Sequence, residues 1–420
     1  MSISLAVSAV IFGLIALREW LPGWLKIWHI MTAGAAFLLA TGQISPAHAF
    51  AAIDWGVILY LFSVFSIGTA LFQNGLSHRL GGRLASIQTF RGSFAAFLVA
   101  AAIVAALLTN DAAAIIGTPI AFVLARHTGG DVKKYLIGLC VAVTIGSMAT
   151  PIGNPQNLLI AASGGVPAPV FTFFLWLIVP TVLGLGGAIW WLARGAGQSL
   201  PHNSAADVDL AAPQKGTPED ERIWPSYVSL VILIVLVVGD SLLSALDPEH
   251  AIPLGWAGLI ACLPVFIFDD KRLKIAKEVD WPTLVFFVAM FIVTGALIES
   301  HALQRMLGEL QGHLDEPLVT AAVSFLASQA FSNVPVVDMY LKLLDSYSVA
   351  NLMMLSAVST LAGNVFIISA ASNVIVVQQA ERFGVVPFTF REFTKAVLPI
   401  AAISLALAIG WIVFLAWAIG

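Results

Sequence analysis

Charge is scarce in this sequence. Of its 420 residues only 10% are Asp, Glu, Lys or Arg, against 59% hydrophobic, whereas soluble domains carry roughly 25% charge. So little charge excludes a water-soluble globule. Cysteine is nearly absent: Cys140 and Cys262 both lie inside apolar runs, which argues against a disulfide or a thiolate metal site. The histidines are scattered, and neither paired acids nor a Ser/His couple is set out for hydrolysis within a membrane. No enzyme activity, cofactor or metal is therefore expected. No Walker motif is present, so ATP does not drive this chain directly; a separate ATPase subunit stays compatible with it. The net charge of −4 says little by itself, and nucleic acid is not an expected partner. No basic residue precedes the first apolar run and Arg18 follows it, so a cleavable signal peptide is not expected.

What the sequence has is apolar length. Runs of roughly 20 apolar residues recur, the length that crosses bilayer hydrocarbon as a helix. They predict an all-α polytopic protein of the plasma (inner) membrane. About ten crossings fall near 3–17, 27–42, 55–73, 136–163, 167–193, 226–240, 253–268, 282–299, 351–380 and 396–418. Two further stretches, 92–125 and 316–345, are too long for one span and too short for two spans with a turn. Each has polar residues at its centre. They read as re-entrant hairpins that return to the side they entered from.

Basic residues, which are enriched in cytoplasmic loops, support this reading. Arg79, Arg83 and Arg91 precede the first stretch and Arg126, Lys133 and Lys134 follow it, so both flanks belong on one side. With the hairpins in place, every Lys and Arg except Arg305 and Lys342 falls inside, and both termini fall outside. The polar segment 195–224 is then a cytoplasmic linker between a first half, 1–194, and a second half, 225–420.

The halves resemble each other. "DWGVILYLFSVFSIGTALFQNGLSHRL" (54–80) aligns without gaps to "DWPTLVFFVAMFIVTGALIESHALQRM" (280–306). The first of these spans runs inward and the second outward, so the repeat is inverted, an architecture typical of secondary transporters.

Each half carries two polar interruptions at matching places: "LLTNDAAA" then "TIGSMATPIGNPQNLLI" (144–160), and "AFSNVPVV" (330–337) then "TLAGNVFIISAASNVIV" (360–376). One constant offset pairs Thr144 with Thr360 and Gln156-Asn157 with Ser372-Asn373; Thr109-Asn110 pairs with Ser332-Asn333. Pro151, Pro155, Gly146 and Gly153 are expected to break one crossing, and Gly363 with its Ser/Asn neighbours another. Broken helices persist at membrane depth only where protein or water covers them. Their exposed N–H groups suit an anion or polar solute, and their carbonyls suit a cation. The substrate-binding candidates are Thr109, Asn110, Asn154, Gln156, Asn157, Ser332, Asn333, Ser372 and Asn373. The bland reading of any one of them is interhelical packing. Asp111 stands apart, because an ionisable group at this depth is a functional candidate by default, as a proton carrier or a cation ligand. Asp338, a turn beyond Asn333, reads either as a second acid or as an interfacial group. Glu299 reads as interfacial, and His29 and Cys140 as packing residues.

At these residues the chain resembles the ion transporter superfamily, whose inverted repeats carry Ser/Thr-Asn hairpin tips followed by interrupted helices. "TNDAAAIIGTPI" followed by "ATPIGNPQNLLIA" most resembles the arsenite efflux permeases and related anion and sodium/proton permeases. The likeness covers nearly the whole chain. It implies a scaffold plus a transport domain of hairpins and broken helices, a homodimer, and an elevator motion. The sodium–dicarboxylate branch shows Ser-Asn-Thr at both tips, where this chain has Thr-Asn-Asp and Ser-Asn-Val. Gln156 stands where related permeases often have a second proline. The leading expectation is proton-coupled efflux of a small inorganic solute, arsenite or antimonite, with Asp111 exchanging the proton. The alternative is a sodium/proton antiporter or sodium-coupled anion transporter. A passive channel suits the inverted repeat less well.

Overall fold

The computed structural model describes residues 3–16, 21–22, 24–194, 223–246, 252–301, 312–344, 348–366, 370–385 and 387–419. Among them all regular structure is helical. The helices are α1 (Ile3–Ala16), α2 (Ile27–Ala40), α3 (Pro46–Ala52), α4 (Trp55–Gln73), α5 (Leu76–Ala85), α6 (Phe90–Leu107), α7 (Asn110–Thr128), α8 (Val132–Ser147), α9 (Pro155–Ala162), α10 (Pro169–Leu192), α11 (Trp224–Leu246), α12 (Leu254–Phe268), α13 (Arg272–Glu278), α14 (Trp281–Glu299), α15 (Pro317–Phe331), α16 (Asn333–Leu343), α17 (Val349–Ala362), α18 (Ala371–Arg382) and α19 (Phe390–Ile419). Each expected crossing coincides with one helix or, at α8–α9 and α17–α18, with a broken pair. The linker 195–224 lies almost wholly outside the described residues.

Both expected hairpins form. Helices α6 and α7 pack antiparallel against each other and both pack on α8. The base of the hairpin is closed by Tyr135 of α8, whose ring sits 5.4 Å from Phe94 and whose hydroxyl reaches Ser93 and Thr128, each at 3.2 Å. The tip lies at the level where α8 ends, and α9 carries the crossing onward alone. The hairpin therefore turns back beside the break and does not run on with α9. One detail differs from the sequence expectation: with 18 residues α6 is long and apolar enough to cross a membrane by itself. Its cap, Thr89, accepts from the Gly92 N–H and starts the helix before the apolar run does. The second hairpin, α15–α16, is shorter, with legs of 15 and 11 residues.

The packing of the helices survives exchange of the halves. Helix α4 packs on α12 as α14 packs on α2, α13 lies on α4 as α3 lies on α14, α7 packs on α18 as α16 packs on α9, and α10 packs on α19. Caps repeat too: Asp54 accepts from Val57 N–H at 3.0 Å, and its mate Asp280 from Thr283 N–H at 3.2 Å. So do the ties to the short helices. Lys274 donates to Gln73 at 2.8 Å, and their repeat mates His48 and Glu299 pair at 2.8 Å. Two groups result. Helices α1–α4 and α11–α14 pack among themselves, and the hairpins and broken helices pack with α10 and α19.

Candidate functional site

Four helices begin at the centre: α7 at a hairpin tip, α9 after a break, and α16 and α18 at the matching places in the second half. Burial of their polar residues is nearly complete. Thr109, Asn110, Asp111, Asn154, Gln156, Asn157, Asn333, Ser372 and Asn373 are all buried, and Ser332 is half-buried.

In the first half, local chemistry explains the break. Pro151 has no N–H, so the carbonyl of Ser147, at the end of α8, lacks its helical donor. Side-chain amides replace it. Asn157 donates to the carbonyls of Ser147, Met148 and Thr150 at 3.2, 3.3 and 2.9 Å, and Asn154 donates to the Ser147 hydroxyl at 3.1 Å. Asn154 also caps α9, accepting from the Asn157 N–H at 2.8 Å. The hairpin tip is sewn to this break. Asn110 N–H donates to the Gly153 carbonyl at 2.8 Å, and the Ala106 carbonyl, deprived of that donor, accepts from the Thr150 hydroxyl at 2.6 Å. Gly153 is required here, because a Cβ would stand 2.2 Å from the Ser147 carbonyl oxygen. Thr109 caps α7 by accepting from Ala112 N–H at 3.1 Å, and Asn110 accepts from Asp111 N–H at 3.0 Å.

The halves touch through α17. Asn154 and Gln156 donate to the Thr360 hydroxyl at 3.2 and 3.4 Å, and Ser356 donates to Asn157 at 2.7 Å. In this conformation Asn154 and Asn157 have their hydrogen bonds taken up by the protein itself.

The second half repeats the path with fewer bonds. Asn373 donates to the Gly363 carbonyl at 3.0 Å, as its mate Asn157 does to Ser147, and Gln329 of the hairpin donates to the Ala362 carbonyl at 3.2 Å. The Asn333 amide lies against Gly363, 3.0 Å from where a Cβ would stand. Around that glycine several buried atoms have no hydrogen-bond partner: Asn333 Oδ1, both side-chain atoms of Asn364, Ser372 Oγ and Asn373 Oδ1. In the first half one site residue shares this condition, Asp111 through Oδ1. The two sets are neighbours. Helix α7 packs on α18, and Phe122 and Phe383, each about three turns beyond its helix start, meet edge to face with ring centres 5.4 Å apart. The two helices thus pack together, with Asp111 in the first turn of one and Ser372-Asn373 in the first turn of the other.

The candidate residues are thus brought together, but they divide into residues saturated by the fold and residues with open valences. Asn364 and Ser356 join the group, as does Thr360, which the sequence marks only as the repeat mate of Thr144. Asn364 pairs by the repeat offset with Met148, so the symmetry that exposed the other positions hid this one. Asp338 is buried rather than interfacial. It pairs with Lys342 at 2.8 Å and accepts from Thr294 of α14. Glu299 is exposed and paired with His48.

Comparison with known proteins places this arrangement. The citrate transporter family model (CitMHS) matches residues 12–350. The silicon efflux transporter LSI3 of Oryza sativa subsp. japonica is 24% identical over 83% of this chain and 84% of its own length. The inner membrane protein YbiR of Escherichia coli K12 is 31% identical over 68% of this chain and 70% of its own. Among solved structures, the Alcanivorax borkumensis YdaH transporter aligns over 98% of both chains at 18% identity with a TM-score of 0.47. With its helical spans, and with a family match over most of its length, the chain is a membrane transporter, not an enzyme, and belongs to the citrate transporter family.

Proposed function

We propose that the protein exports a small uncharged hydroxylated oxyacid, arsenite or antimonite first, in exchange for protons carried by Asp111, with the hairpins and broken helices moving against α4 and α14. The carrying observation is the set of open valences at the helix starts: buried groups of Asn333, Asn364, Ser372 and Asn373 and one carboxylate oxygen of Asp111 have no hydrogen-bond partner, and the helices that carry Asp111 and Ser372-Asn373 pack on each other. The segments 107–118, 144–160, 328–337 and 360–376 contain no Lys, Arg or His. A trianion such as citrate would enter without a counter-charge and meet Asp111. Arsenite near neutral pH is an uncharged trihydroxide, which amides and hydroxyls bind as they would a polyol. The name of the rice relative, a silicon efflux transporter, supports a substrate of this chemistry, since silicon in neutral water is also an uncharged hydroxide. A buried carboxylate oxygen without a donor favours neutralisation by a proton or a cation, which fits Asp111 for the role of carrier. The same reading places the protein as a homodimer in the inner membrane with both termini outside and the linker 195–224 inside.

A second reading, sodium-coupled anion transport, draws on the family's name and on the four helix N-termini, whose dipoles favour negative charge. Flux into acid-loaded proteoliposomes separates the two. Arsenite or silicic acid flux driven by a pH gradient, and reduced at least about tenfold in Asp111→Asn, supports the first. Flux insensitive to both the gradient and the substitution removes Asp111 from the mechanism. Citrate flux that requires Na⁺ supports the second.

A further inference from the structure

The interface between the moving hairpins and the long helices α4 and α14 differs in chemistry between the two halves. In the first half, Gly68 of α4 faces Ala112 of α7, so closely that a Cβ on Gly68 would lie 3.0 Å from that of Ala112. The repeat mate of Gly68 is Thr294. There the interface holds a polar cluster: Thr294 donates to Asp338 of α16, Lys342 donates to Asp338 at 2.8 Å and to Thr294 at 3.2 Å, and the Lys342 ammonium stands 5.5 Å above the Phe291 ring. Asp338 is buried, whereas Lys342 reaches it from the partly exposed edge of the interface. The first hairpin cannot reproduce this cluster, because by the register that pairs Asn110 with Asn333 it carries Ile115 and Pro119 at those positions.

We infer that Thr294, Asp338 and Lys342 form a latch that tethers the second hairpin to α14 and sets how long the transporter rests in the conformation seen here. Charge-assisted hydrogen bonds, here centred on a buried carboxylate, have discrete made and broken states. A contact between Gly68 and Ala112 carries no directional bond and slides. Movement of the hairpins therefore requires one interface to unlatch while the other slips, and release of the second hairpin becomes the slow step. This inference rests on the moving-hairpin reading proposed above.

The test uses the full-length protein in proteoliposomes, with Cys140 and Cys262 replaced and a reporter pair, Gly68→Cys with Ala112→Cys, at the first-half interface. That interface and the latch are closed in the same conformation, so the rate of disulfide formation between the reporters reports its occupancy without needing a substrate. Thr294→Val keeps shape and removes the hydroxyl, whereas Thr294→Ser keeps the hydroxyl. With the latch broken, cross-linking is expected to slow about threefold or more in Thr294→Val and in the charge-neutral pair Asp338→Asn with Lys342→Gln. It is expected to stay at the parent rate in Thr294→Ser. An unchanged rate in Thr294→Val overturns the latch. Arsenite flux that continues at full rate in the cross-linked parent overturns the moving-hairpin reading instead, and that outcome is separate from the first.

Discussion

Asn157 in the first half donates to three backbone carbonyls and accepts from Ser356, whereas Asn373, its repeat mate, donates to one carbonyl and keeps an unpartnered Oδ1. The same amide at the same turn of the same interrupted crossing is a strut in one half and an open valence in the other. The tips diverge likewise. Asn110 and its neighbours are bonded into the break beside them, while Asn333 lies against Gly363 with its oxygen free. Duplication supplied two equivalent scaffolds. One has been filled in as a rigid floor, and the other has kept its polar groups available. The exception is Asp111, which places the single ionisable group of the centre on the rigid side, where its position is best defined.

The sharpest way to break this comparison is at the floor. Gly153→Ala puts a Cβ 2.2 Å from the Ser147 carbonyl oxygen, and backbone must move for it to fit. A loss of about 3 kcal/mol or more is expected, read as failure to recover folded protein or as a large fall in thermal midpoint in detergent. A parent-like midpoint would mean that the tip and break are not joined as described.

The strut and the open valence separate by a paired substitution. Asn157→Ala strands several buried backbone groups and is expected to cost about 3 kcal/mol of stability, against about 1 kcal/mol for Asn373→Ala. Solute binding should move the other way, weakening about tenfold in Asn373→Ala. Calorimetric midpoints and equilibrium binding of arsenite to the purified protein check the two orderings. Equal stability costs would remove the distinction between the halves.

The architecture was legible because bilayer thickness is an external ruler. Apolar runs of the wrong length, with Pro151, Gly153 and Pro155 in the middle of one crossing, leave few arrangements that satisfy the backbone. The candidate residues were legible as a group for the same reason, since Asn, Ser and Thr at membrane depth have few uses. Which of them the fold consumes was not legible. That Asn157 completes Ser147 follows from the missing N–H of Pro151, but the side chain that closes such a gap depends on how the chain turns between them. Asn364 has no counterpart for the repeat to expose, because Met148 occupies its place in the first half. The pairing of Asp338 with Lys342 is a helical i,i+4 spacing that any reader can see, yet its meaning depends on Thr294, more than forty residues away and on another helix. Periodicity reports faces, and long-range partners stay hidden until the helices are assembled.

The smallest expected effect tests the comparison from the opposite direction, by making the halves more alike. The repeat offset that pairs Asn157 with Asn373 also pairs Ser356 with Cys140. Ser356 donates to Asn157 at 2.7 Å, whereas Cys140 is fully buried and Asn373 Oδ1 has no partner. A thiol is a weak donor, so Cys140→Ser gives the second-half amide the hydroxyl that its mate already has. The helices that carry the two residues pack on each other; the expected gain is about 0.5–1 kcal/mol of stability, and it should vanish in an Asn373→Ala background, the double-mutant test of whether the two side chains touch. The same bond would compete with a solute for Asn373 Oδ1, so arsenite should bind about threefold more weakly in Cys140→Ser. A gain that persists without Asn373 would mean the hydroxyl acts elsewhere. A gain without any loss of binding would mean that the free oxygen of Asn373 is not where the solute sits, and the site would then contract to Asp111, Asn333, Asn364 and Ser372.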